Sequence, residues 1–262
     1  MRQNKAREAL AFCLGILFLA CLVQTAGWIR QDRLVFPDVA EILRAFFRLL
    51  AAPHTYLLIW TTLRHLLQAL VASSFFGLLI GLAEGFSDFF RSMMRPVMIF
   101  LRSIPMIVMV VILMVLTRYD RVPLLATSLF LIPLISEATS EGCRGIDPDL
   151  IDVYRLNSGF NGTVLYRVYL PLMTGYWKQA YTSAVGMGLK LVVSTEYLVQ
   201  TRNSLGKAIN NSSYFNEYQD IYAYALIMIL LVLLVSELPL WLEKLFSRPG
   251  GRAEYKKRGE TV

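Results

Sequence analysis

From Glu137 to Met173 the chain reads EATSEGCRGIDPDLIDVYRLNSGFNGTVLYRVYLPLM, its one conspicuously polar internal stretch. Unpaired polar groups in lipid cost several kcal/mol each, so a stretch this polar between apolar runs has to leave the hydrocarbon layer. Asp147-Pro148-Asp149 has the form of a helix start, with Asp147 as N-cap, Pro148 at the first helical position and acids favoured by the helix dipole. A short helix through Leu156, with Leu150, Asp152, Val153 and Tyr154 in it, is expected. Gly159 suits the left-handed position that ends a helix. Thr163 to Tyr169 then begins a second short helix before Leu170-Pro171 turns the chain back into the membrane. The expected product is a helix-Gly-helix elbow on the cytoplasmic face. Such an elbow acts as a lever, because its projecting helix can be gripped and its arms continue into transmembrane helices. The plainer alternative is a cytoplasmic loop with two amphipathic turns.

Outward from this segment, apolar runs long enough to cross a hydrocarbon core of about 30 Å recur. Helices are expected near Leu10–Trp28, Leu57–Gly81, Pro96–Leu116, Pro123–Ser136, Leu172–Leu198 and Ile221–Leu242. Of the 262 residues, 56% are hydrophobic, and the mean hydropathy is +0.51, above the usage of soluble domains. The fold class expected is therefore all-α, a polytopic membrane protein of six transmembrane helices. The second and fifth helices carry Arg64, His65, Lys178 and Lys190, which suits helices packed in a bundle or lining a pathway.

The formal charge is +7, but Lys and Arg gather at the two ends and in short connections. That distribution points to anionic lipid headgroups rather than nucleic acid. An even helix number puts both termini on one side, and their basic residues make that side cytoplasmic. Arg30, Arg33, Arg44 and Arg48 then fall outside, against the rule. Residues 1–8 are expected to form a cytoplasmic N-terminus, 9–246 one transmembrane domain with a cytoplasmic loop at about 137–171, and 247–262 a basic, disordered cytoplasmic tail. The run from Leu10 to Ile29 lacks a small-x-small cleavage site and reads as a retained helix. After Pro37, the residues Val39, Ile42, Leu43, Phe46, Phe47 and Leu50 recur at helical spacing, so an amphipathic helix at the membrane surface is expected there.

Cys13, Cys21 and Cys143 show no metal-type spacing, and the chain has only two histidines, His54 and His65. No G-x-x-x-x-G-K-S/T phosphate loop, G-x-S-x-G or H-E-x-x-H occurs, so neither nucleotide hydrolysis nor a catalytic centre is expected of this chain, and no cofactor. Ionisable groups inside the membrane are costly and are the candidates for a pathway. Arg102 lies beside Ser103 and Pro105, where the proline frees a carbonyl and can kink the helix. Lys190 and Glu196 stand six apart, too far to pair on one helix face, so each is expected to reach another helix. For all of these, structural pairing or packing is the plainer role.

The polar segment resembles the cytoplasmic loop, often called the EAA loop, of bacterial ATP-binding-cassette importer permeases. Asp152-Val153-Tyr154 stands where that pattern has an acidic residue and two alanines, followed by Gly159 and Leu170-Pro171 at matching spacing. The resemblance runs from about Phe36 to Phe246 and is nearest to the nitrate/sulfonate/taurine type. It includes Phe36-Pro37-Asp38, FLRSIP, Asp147-Pro148 with Leu150, and Thr195-Glu196 followed by Ser204-Leu205-Gly206. Two departures stand out: Val153 and Tyr154 replace small alanines, and MIVMVVILMVLTRYD replaces a Trp-Phe-Gly stretch with its second proline. The resemblance implies a type I ABC importer permease fold in a bacterial inner membrane. It also implies cytoplasmic ATPase subunits on the loop, a second permease copy or paralogue, an extracytoplasmic solute-binding protein, and a small organic anion, sulfonate or vitamin precursor as solute. A glycine-betaine or methionine type permease, and an ATPase-independent secondary transporter or channel, are the rival readings.

Overall fold

The computed structural model describes residues 37–146 and 169–246, together with Gly15, Gln24 and Thr25. Every regular element among the described residues is helical. The expected helix at Leu10–Trp28, the elbow from Asp147 to Gly159, and the tail after Phe246 lie outside them.

Helix α1, Val39–Ala51, follows Pro37 as its spacing predicts. The Asp38 backbone N–H donates to the Glu41 carboxylate at 3.2 Å, and the Gln24 side-chain amide donates to Asp38 at 3.0 Å. One face of the helix packs on the bundle. Ile42 and Ala45 are buried, Phe46, Leu49 and Leu50 pack on the main core, and Arg48 pairs with Asp220.

Helix α2, Pro53–Phe86, is apolar over most of its length and about 51 Å long by its 34 residues. It crosses the expected span with several turns to spare. The expected span at Pro96–Leu116 is instead two helices, α3 (Asp88–Ser103) and α4 (Met106–Leu116), bent by 101°. Pro105 has no N–H to continue the ladder, and Ile104 before it is forced extended, at φ −66° and ψ 127°. The helix therefore breaks where a kink was expected. Its start also lies earlier than Pro96, because Ser87 caps it by accepting from the Phe90 N–H at 3.2 Å.

Helix α5, Val122–Arg144, outruns the expected Pro123–Ser136 by two turns. Its polar continuation stays helical because Ser136, Thr139, Ser140, Gly142 and Cys143 are buried against neighbours. The polar segment thus leaves helical form only after Arg144, eight residues later than its composition suggests. Helix α6, Leu170–Val199, begins at Leu170-Pro171 as expected. The short α7, Leu205–Tyr214, was not foreseen; Ser204 caps it by accepting from the Lys207 N–H at 3.2 Å. Helix α8, Tyr218–Phe246, closes the described chain.

Helices α2, α5 and α6 form the centre of the bundle. Gly77, Gly81 and Gly85 make one stripe of α2 against α5, close enough that a methyl group on Gly81 would lie 2.5 Å from the Ser136 carbonyl oxygen. By length and composition α2, α5 and α8 can each cross a membrane, and a fourth span results if α3 and α4 count as one broken crossing. Helix α6 is long enough but more polar.

Candidate functional site

The two helices that flank the 147–168 segment are tied together just before it. The Trp177 indole N–H donates to Thr139 Oγ1 at 3.1 Å, and Cys143 Sγ meets Met173 Sδ at 3.7 Å, both linking α5 to α6. The Arg144 guanidinium donates to the Glu84 carbonyl at 3.1 Å and to Asp88 Oδ1 at 2.5 Å, which anchors the end of α5 to the corner between α2 and α3. The ends of α2, α3, α5 and α6 are thus joined beside the segment. Leu170 and Pro171 form the first turn of its returning arm. Asp147, Pro148, Leu150, Asp152, Val153, Tyr154 and Gly159 fall outside the described residues.

Beside this anchor, α3 and α5 face each other across a cleft of about 570 Å³. Helix α3 presents Arg91, Arg95 and Arg102; α5 presents Glu137, Ser140 and Glu141; and Glu84 closes the α2 side. Arg102 donates to Glu137 Oε2 at 2.7 Å and to the Pro133 carbonyl at 3.0 Å. It therefore straps the end of α3 to α5 right at the break, where Ser103 ends one helix and Pro105 caps the next. Both side chains of the pair are nearly half exposed, at 45% and 49%, so the strap is open to water or solute. The Glu84 carboxylate is buried and accepts from Ser136 Oγ at 3.1 Å.

Lys190 and Glu196 do reach different surroundings. Glu196 is 0% exposed, accepts from Thr62 Oγ1 at 2.8 Å and from the Gly206 N–H at 3.3 Å, and shares a hydrogen bond with His65 Nδ1 at 2.7 Å. The carboxylate abuts the first turn of α7, where the Gly206 N–H and the helix dipole favour a negative charge. It locks the α6–α7 corner onto α2. Lys190, by contrast, is exposed on α6, in a stripe with Gln179, Ser183, Met187 and Ser194 that runs most of the helix length. So polar a stripe suits water or a second protein surface far better than lipid. Arg102, Lys190 and Glu196 thus do not form one cluster. Glu137 and His65, as partners, were not predictable from local spacing, since they stand 35 and 131 residues from Arg102 and Glu196.

An all-helical bundle with several helices long and apolar enough to cross a membrane, a polar strap at a broken helix and a polar outward stripe is the architecture of a polytopic membrane protein. Residues 73–248 match the family described as "Binding-protein-dependent transport system inner membrane component", and the chain belongs to that family. It is 23% identical over 214 residues to a probable ABC transporter permease protein of Brucella melitensis biotype 1, covering 80% of this chain and 86% of that protein. A probable ABC transporter permease protein of Brucella abortus strain 2308 is similar at the same 23% over 214 residues, covering 80% and 85%. Among solved structures, the fold resembles the MetNI methionine ABC transporter in an inward-facing conformation, with a TM-score of 0.60 at 19% identity over 76% of this chain and 100% of that one. The chain is accordingly an ABC importer permease component with the type I permease fold.

Proposed function

We propose that this chain forms the translocation pathway of an ATP-driven importer as a dimer, with itself or a paralogue, and that two cytoplasmic ATPase subunits grip the 147–168 segment. ATP binding draws the ATPases together and tilts the permeases outward; hydrolysis resets them, and an extracytoplasmic binding protein delivers the solute. Both termini are then cytoplasmic in a bacterial inner membrane. The observation that carries this reading is the α6 stripe of Gln179, Ser183, Lys190 and Ser194, exposed on a single protomer and too polar for lipid. A second protomer facing it encloses a wet path between the two. Arg102 and its strap to Glu137 stand at the cytoplasmic part of that path and suit a solute with an anionic group, such as the organic anions and sulfonates of the nitrate/sulfonate/taurine type. Lys190 lines the path itself, and Glu196 fixes the corner that bounds it.

Thiol accessibility tests the path. In a background with Cys13, Cys21 and Cys143 replaced by serine, Ser194→Cys and Ser183→Cys are expected to react with a charged, membrane-impermeant thiol reagent in the assembled transporter. Ile229→Cys, on the apolar outer face of α8, is expected to stay unreactive. Equal protection at all three positions would place the stripe in lipid and overturn the reading.

A further inference from the structure

At the ends of α5 and α6 remote from the 147–168 segment lies a separate pocket of about 340 Å³. It is walled by α2 through Thr61, Arg64 and His65, by the α4–α5 connection through Tyr119 and Asp120, and by the α6–α7 connection from Val199 to Arg202. Its charge balance is one-sided. Asp120 is already paired with Arg118 at 3.3 Å, whereas Arg64 and Arg202 make no ion pair or hydrogen bond with any described residue. Arg202 follows the C-terminus of α6, where a cation is favoured by the helix dipole. Arg64 has no such reason, since it projects from within the apolar span of α2.

A second observation points the same way. The Thr201 hydroxyl oxygen is buried beside the pocket with no hydrogen-bond partner among the described residues, and an orphaned buried hydroxyl costs free energy until something fills its valence. The preceding residue, Gln200, is held in the left-handed region at φ 55°, which turns the chain sharply at this wall. His65 also lines the pocket while its Nδ1 is committed to Glu196.

We infer that this pocket binds an oxyanion group, held by the Arg64 and Arg202 guanidinium groups with the Thr201 hydroxyl as a further donor. A phosphate or sulfate-like group offers the acceptor oxygens that two guanidinium forks require. The oxyanion belongs either to an anionic lipid headgroup or to a free anion from the aqueous phase; both present the same chemistry. Bound there, it ties α2 to two connections and staples the end of the bundle remote from the 147–168 segment. The site is independent of the coupling segment and of the α3–α5 cleft.

Two assays on the purified full-length chain separate the sources. In neutral detergent, inorganic sulfate titrated against chloride at constant ionic strength reads a free-anion site as a saturable rise in the unfolding midpoint. In nanodiscs of phosphatidylglycerol mixed with phosphatidylcholine, native mass spectrometry reads a lipid site as preferentially retained phosphatidylglycerol. Arg64→Gln with Arg202→Gln is expected to abolish whichever response appears. Arg202→Gln alone, at an exposed position, is expected to weaken it about ten-fold. Thr201→Val keeps both charges and is expected to weaken it several-fold, so the inference remains testable if the double variant does not fold. No response in either assay, or a response equal in wild type and variants, overturns it.

Discussion

Replacing Gly81 by alanine tests the close packing of α2 on α5. The added methyl would lie 2.5 Å from the Ser136 carbonyl oxygen and 2.6 Å from Thr139 Cβ, where ordinary contact begins near 3.4 Å. The two helices would have to part by roughly 0.9 Å, because the opposing atoms are backbone and a branched side chain, neither of which can swing away. Overpacking of this kind costs about 1–3 kcal/mol. For a chain of this length that lowers the unfolding midpoint by roughly 2–12 °C, at about 2–4 °C per kcal/mol. The hydrogen bond from Ser136 to Glu84, one turn along the same seam, would be strained as well. Thermal unfolding of the detergent-solubilised protein, followed by circular dichroism, reads the shift. Gly175→Ala is the control, since nothing among the described residues lies within 4 Å of a methyl placed there and no loss of stability is expected. A Gly81→Ala midpoint equal to wild type would refute the packing argument.

Glu196→Ala strands the donors of Thr62, His65 and Gly206 in a dry corner, so a loss of about 2–4 kcal/mol and a sharply reduced yield of folded protein are expected, readable by fluorescence-detected size-exclusion chromatography. Glu196→Gln keeps an acceptor oxygen and is expected to lose less than the alanine variant. Arg102→Ala is expected to change stability by less than about 1 kcal/mol, because its pair with Glu137 is nearly half exposed, while lowering solute uptake several-fold in reconstituted transporter. Gly206→Ala is expected to open the α6–α7 corner, since its methyl would lie 2.4 Å from the Val193 carbonyl oxygen; a hydrogen-exchange rise confined to α7 checks this.

Part of the bundle is legible from hydropathy, because α2 and α8 are long apolar runs, whereas α6 carries Lys178 and Lys190 and is legible by its length. The errors arose where a local signal competed with burial. Pro96 looks like a helix start, yet it sits inside α3, which Ser87 caps a full two turns earlier. The run from Glu137 to Arg144 looks like loop because it is polar, yet its threonine, serine and cysteine are buried between α2 and α6, and packing keeps it helical. Pro105 was legible as a disturbance, and only the extended conformation forced on Ile104 turns a kink into a 101° break. The strap and the Glu196 corner were legible only as isolated costly charges. Their partners lie on other helices, and no periodicity along the chain reveals which helices meet. The Gly77, Gly81, Gly85 stripe is visible at four-residue spacing once one knows that α5 lies against it.

We expect this chain to transport only in company with an ATPase. Proteoliposomes containing the permease, a co-expressed ATPase and its binding protein, assayed with labelled solute with and without ATP, test it most directly. Uptake that requires both ATP and the ATPase is predicted. Equal uptake into liposomes holding the permease alone would contradict it.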